Sequence, residues 1–175
     1  MLENAATPRL IATCWTSAGN VRPGLTGDVS PIPFERRVRA VADAGYVGIG
    51  FELADLQHAT RTIGLEGLRD LVGESGLQLV QVEFLDDWWV GGERRRISDE
   101  RRGLLFEAAE VLGADLVKAG GGRAGDVIDP DQLRESFREL ADQAAAHHTR
   151  IALEPGAFSG PVSYTHLTLP TIYSV

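Results

Sequence analysis

The sequence predicts an α/β protein, a partial (β/α)8 barrel of about five strand–helix units. Three observations carry this reading. Short apolar strands alternate with amphipathic helices at intervals of roughly 30 to 40 residues, a spacing that implies parallel strands joined by right-handed crossovers. The units are punctuated by glycine or proline at their ends. Strands two, three and five each finish in a carboxylate, Glu52, Glu83 and Glu154. The period suits an open doubly wound sheet as well, but three acids on one rim favour a barrel, which gathers its functional residues there.

Each element has its own local reason. Strand one is Leu10–Trp15, followed by a long loop rich in Gly, Pro and Asp. Pro33 opens a helix that places Phe34, Val38 and Val41 on one face. Gly45 stops it, at a position where a left-handed residue is cheap only for glycine. Strand two is Val47–Glu52, and its helix uses Leu65, Leu68, Leu71 and Val72 before ending near Gly76. Strand three is Gln78–Phe84. The third helix is expected to begin at Ser98 as N-cap, with Asp99 and Glu100 placed against the helix dipole, and to end at Gly113. Strand four is Asp115–Ala119. Helix four carries the clearest start, with Asp129 as N-cap, Pro130 at N1 and Gln132 at N3 in a capping-box arrangement. Leu133, Phe137, Leu140 and Ala144 form its inward stripe, and strand five is Arg150–Glu154, stopped by Pro155.

Bulk composition narrows the function. The 175 residues suffice for one buried core, and a net charge of -8 argues against a nucleic-acid binder, whose footprint is a basic face. No apolar run approaches the roughly 20 residues of a membrane span, and the first residues lack a secretory pattern. Cys14 is the only cysteine, so no internal disulfide forms. The expectation is a reduced, cytoplasmic protein with no membrane partner.

The rhythm ends at Pro161. Residues 162–171 resemble, codon by codon, the translation of a transposon sequencing adapter, and 162–175 are expected to be a non-native tail. Residues 1–161 then form a barrel cut short, since a whole one takes roughly 250 residues. His166 falls in the tail and is not counted as a metal ligand.

Among candidate site residues, Glu154 in IALEP leads. It ends a buried strand just before a proline, where a carboxylate can ligate a hard cation or take a proton from carbon; a loop cap or an Arg partner is the alternative. Glu83 sits in QVEFLDDWW, where flat aromatic faces beside acids suit a polyol. Trp88 and Trp15 are taken as substrate-binding faces, although local packing accounts for at least one of Trp88 and Trp89. Glu52 and His58 follow strand two as further substrate-binding candidates, a lone rim histidine being more often structural. Lys118 in LVKAGGG can form a Schiff base, pair with a rim Glu or hydrogen-bond a substrate oxygen. Gly120, Gly122 and Gly125 fit G-x-G-x-x-G only formally, because no helix follows directly. The basic run from Arg94 to Arg102 reads as a solvated helix start, and His147 and His148 end helix four.

Taken together, ATCWTSAG, QVEFLDDWW with the following SDERRGLLFEAAEVLGADLVKAG, and IALEP resemble the sugar-phosphate isomerase/epimerase family, the xylose-isomerase-like TIM barrels, over roughly residues 9 to 158. The resemblance implies a divalent metal (Mn, Mg, Co or Zn) held by two Glu, one Asp and one His at the ends of strands five to eight. Only Glu154 matches one of these positions, so this chain by itself is expected to hold no metal and to be inactive. In such epimerases that Glu also belongs to the acid/base pair, moving a proton beside a carbonyl while the metal holds neighbouring oxygens and stabilises the enediolate. The implied substrate is a sugar, inosose or other polyol. A dehydratase of the same fold needs the same base and metal, and the endonuclease IV branch is disfavoured by the acidic charge. A non-catalytic half-barrel that binds a partner or self-associates through exposed edges is the alternative of a different class.

Overall fold

A computed structural model describes residues 9–21, 29–120, 126–127 and 129–154. Five strands form one sheet: β1 (Ile11–Ala12), β2 (Gly48–Glu52), β3 (Leu79–Leu85), β4 (Leu116–Gly120) and β5 (Arg150–Glu154). All neighbours pair parallel, in the order β1-β2-β3-β4-β5. That order decides between the two predicted architectures. A doubly wound sheet reverses direction at a switch point, whereas a barrel wall adds each strand on the same side. Crossovers of one hand then put every helix on one face of the sheet.

The core lies between that face and the helices. Strand residues alternate sides, and Ile49, Phe51, Val80, Val82, Val117, Ala119 and Ile151 are buried on the helix side. Opposite them stand Val38 and Val41 of α2 (Phe34–Asp43), Leu56 of α3 (Leu53–Thr62) and Leu68 of α4 (Gly64–Glu74). Leu105 and Phe106 of α5 (Gly92–Leu112) and Leu140 of α6 (Pro130–Ala146) complete the layer. Each Val, Leu, Ile or Phe among them contributes about 1.5–3 kcal/mol on burial. The alternate strand positions begin with Gly48, Leu79, Leu116 and Arg150 and turn polar toward the strand ends, at Glu52, Glu83, Lys118 and Glu154.

Several local expectations hold. Strand five spans the expected residues, Gly45 has φ +84° at the end of α2, and Asp129 accepts from the backbone N–H of Asp131 at 2.9 Å and of Gln132 at 3.4 Å. The reciprocal half of the capping box does not form, because the Gln132 side chain donates to the Trp89 carbonyl instead.

Three expectations are corrected. Strand one ends at Ala12, and Cys14–Ser17 turn into a single-turn helix, α1, because the Cys14 N–H leaves the strand ladder for the Glu83 carboxylate at 2.9 Å. The segment after β2 is helical at once: Glu52 caps α3 by accepting from the Ala54 N–H at 2.5 Å. The third crossover helix starts at Gly92, not Ser98. Ser98 lies inside α5, buried, its hydroxyl donating to the Asp86 carbonyl at 2.6 Å. The Arg-rich first turns of α5 are stabilised by ion pairs rather than by an apolar stripe, Arg95 with Asp99 and Arg94 with Asp87 and Asp126. The Gly-rich segment 121–125 and the tail 162–175 lie outside the described residues. Among the described residues no helix is long and apolar enough to cross a membrane.

Candidate active site at the strand ends

The parallel register builds the site. Glu52 of β2 stands beside Glu83 of β3, and Glu154 of β5 pairs with Gly120 of β4, one inner-face step beyond the Lys118–Ala152 pair. The ladder between β3 and β4 shifts register between Val82 and Leu85, so strict alternation stops just past Glu83. A cavity of about 660 Å³ opens over these strand ends.

Five expected residues line it: Trp15, Glu52, Glu83, Lys118 and Glu154. Two others do not. Trp88 is 1% exposed, donates its ring N–H to the Gly120 carbonyl at 2.7 Å, and packs edge-on against Phe137. It joins the loop after β3 to the next unit and presents no face to the cavity. His58 tilts against the Phe34 ring on a separate hollow, beside the buried Arg37–Asp55 ion pair. The wall also includes Asp86, Gln57 and Arg101, which sequence reasoning passed over. Asp86 was visible as half of an Asp-Asp pair, but only the register shift separates it from Asp87, which turns to Arg94. Arg101 falls in the basic run that sequence reading assigned to a solvated helix start, and only the packing of α5 over the strand ends brings it to the cavity wall.

The charged groups form a chain. Glu83, 4% exposed, uses Oε1 to accept the Cys14 N–H at 2.9 Å and Oε2 to accept from the Lys118 Nζ at 3.1 Å. The same Nζ lies 3.4 Å from Glu154 Oε1, and the Glu154 side chain is 53% exposed. Burial works against the Lys118 charge, but Glu83 and then Glu154 outweigh it and hold the ammonium above the ordinary lysine value. Burial first, then the negative charge of Glu83, pushes the Cys14 thiol well up. Close contact demands glycine at 50: a Cβ there would lie 2.6 Å from Glu83 Oε1 and 2.9 Å from the Cys14 nitrogen.

This arrangement offers a water-accessible carboxylate able to take a proton, a fixed ammonium beside it, and the Trp15 ring at the rim. It does not by itself fit a divalent metal. Among the described residues no three His, Cys, Asp or Glu side chains converge on one point, and the nearest partner of Glu154 is a cation.

The model of the xylose isomerase-like TIM barrel family matches residues 38–169. The chain belongs to this family. No curated protein matches it by sequence. Among solved structures, a xylose isomerase domain-containing protein from Salmonella typhimurium LT2 superposes with TM-score 0.68 at 16% identity, over 84% of this chain and 49% of its own. The 3-keto-D-glucoside 4-epimerase of E. coli gives 0.60 at 16% identity, over 85% and 56%. A xylose isomerase-like TIM barrel protein from Mycobacterium smegmatis, solved in complex with magnesium, gives 0.54 at 22%, over 82% and 54%. At these identities the likeness concerns the fold. The chain spans about half the length of each of these structures.

Proposed function

We propose that this chain supplies half of an active site that moves a proton at the carbon beside a carbonyl of a sugar or related polyol, and that it does not turn over alone. The observation carrying this reading is Glu154, exposed at a strand end in the 660 Å³ cavity and paired there with Lys118 at 3.4 Å. A carboxylate so placed has the reach and solvent contact of a general base. Trp15 stands at the rim, where its ring suits the C–H face of a polyol. A divalent cation at this rim would find one carboxylate in Glu154 and would draw its other donors from strands six to eight.

The test begins by re-reading the gene through the codon for Pro161 and expressing the frame that continues. Solvent deuterium should enter one carbon of a ketose or inosose, and Glu154→Gln should abolish the exchange while circular dichroism stays unchanged. Retained exchange in that variant overturns the assignment. Retention of all hydroxyls marks an isomerase or epimerase, and loss of water marks a dehydratase. A second reading, self-association through the sheet edges, is favoured by β1 and β5, each paired on one side only among the described residues. Sedimentation of the chain across concentrations separates it from the first: mass that rises with concentration, with no exchange in the longer protein, favours association.

A further inference from the structure

Proton abstraction beside a carbonyl leaves a second demand. The C–H electron pair becomes a C=C bond, the carbonyl π pair moves to oxygen, and that oxygen needs a donor. Resting on the proton-transfer reading, we infer that Lys118 is the catalytic cation meeting this oxygen, and that Glu83 is a positioning residue that aims it.

Composition supplies the first argument. The chain has 17 basic residues, and Lys118 is its only lysine, arginine standing at every other basic position. A guanidinium is a broad planar fork, whereas an ammonium is a compact point charge with three donors. The one position where the chain departs from arginine is on the cavity wall between two carboxylates.

Geometry supplies the second. Of the two partners, Glu83 holds Nζ at 3.1 Å from inside the sheet, while Glu154 lies at 3.4 Å and faces the opening. The inner contact is an anchor and the outer one is long enough to yield to a substrate oxygen. Glu83 takes one N–H in a hydrogen bond and Glu154 meets the charge only as an ion pair, so the ammonium keeps N–H groups to turn toward a substrate oxygen. Base and ammonium are neighbours, as the α-hydrogen and carbonyl oxygen are in one substrate.

The third argument concerns Glu83. Its carboxylate is buried and both oxygens are committed, one to the Cys14 N–H and one to Lys118. It therefore reaches the reaction through Lys118. The missing Cβ at Gly50 is what lets the carboxylate sit there. Elements from four parts of the chain thus converge to fix one amine. In the proposed step Glu154 takes the proton, Lys118 keeps its own and donates a hydrogen bond to the oxyanion, and a proton returns to carbon, from Glu154 at the neighbouring carbon in an isomerisation or from a second acid on the opposite face in an epimerisation. Nothing is oxidised or reduced.

The single lysine makes the experiment direct. In the 175-residue chain Lys118 and the N-terminal amine are the only amines, so acetylation by acetic anhydride that survives hydroxylamine reports on these two, and mass spectrometry of the peptide that carries Lys118 reads the site. Lys118 should react slowly when folded and several-fold faster in Glu83→Gln; equal rates would overturn the anchoring role. In the longer protein, with deuterium exchange as readout, Lys118→Met should lose about 10²–10³-fold in kcat with KM little changed, the loss typical of one oxyanion donor. Lys118→Arg should retain part, and methylammonium should restore exchange to Lys118→Ala. Glu83→Gln should lower kcat in wild type but add nothing in the Lys118→Met background. Wild-type exchange that survives Lys118→Met undiminished, a borohydride-trapped adduct at Lys118, or a folded Lys118→Ala protein that methylammonium does not rescue, overturns the inference. Absence of exchange in wild type defeats the proton-transfer reading itself, a different failure.

Discussion

The two faces of the same five strands are built to opposite rules. On the helix side stand Ile49, Phe51, Val80, Val82, Val117 and Ala119, buried and apolar. On the other, one residue away each time, stand Gly50, Glu52, Glu83, Lys118 and Glu154. The first set sustains the fold through apolar burial, which is non-directional and tolerant of detail. The second holds charges whose value depends on partners a few ångströms away. Substitutions on one face should therefore cost stability, and substitutions on the other should cost chemistry.

The comparison can be broken from either side. The largest stability loss is expected for Phe51→Ala, about 3–5 kcal/mol for a fully buried ring, since Phe51 is 0% exposed and meets Phe34 edge-on. Urea unfolding measures it; a loss under about 1 kcal/mol would mean the helix face is not the core. Gly50→Ala tests the exception on the inner face, where one added methyl meets the Glu83 carboxylate and the α1 backbone. Overpacking there should cost about 1–3 kcal/mol and should also accelerate acylation of Lys118. Cys14 sharpens the contrast through pH. Its folded value is raised above the ordinary 9.0 by burial and by Glu83, so its contribution is fully present below 9.0 and is lost as pH rises toward the raised value. Urea midpoints of wild type and Cys14→Ala should run parallel at pH 6–8 and converge above pH 9; iodoacetamide should leave the folded thiol unmodified at pH 8. The smallest stability effect belongs to Glu154→Gln, within about 0.5 kcal/mol for an exposed side chain. A large melting shift in that variant would make Glu154 a structural residue.

Much of the fold was legible because it rests on local rules. The period of two along each strand, the 3.6-residue stripe of α4 and α6, the Asp129 cap and Gly45 all act within a few residues of themselves. Where locality failed, the reading failed with it. The start of α5 was missed because Arg94, Arg95 and Arg96 have no apolar period, and what orders Arg94 is a pair of aspartates 7 and 32 residues away. The end of β1 was missed because its last N–H turns to a carboxylate 69 residues on.

The candidate site divides the same way. Glu154, Lys118 and Trp15 were expected at the rim from their place near strand ends, and the cavity gathers them. Trp88 looked the same in sequence, yet the Gly120 carbonyl draws its indole into the core.

By itself, then, the sequence determined the order of the five strands, the parallel sheet and the carboxylates at three strand ends, because hydrophobic periodicity and chain stops are written along one dimension. Only the tertiary structure decided what each polar group does. Whether Glu83 faces a ligand or anchors Lys118 depends on which donors arrive from β4, 35 residues later, and from α1, 69 residues earlier. Hydrogen bonds reach only about 3 Å, so a role of that kind exists only once distant segments have been packed together.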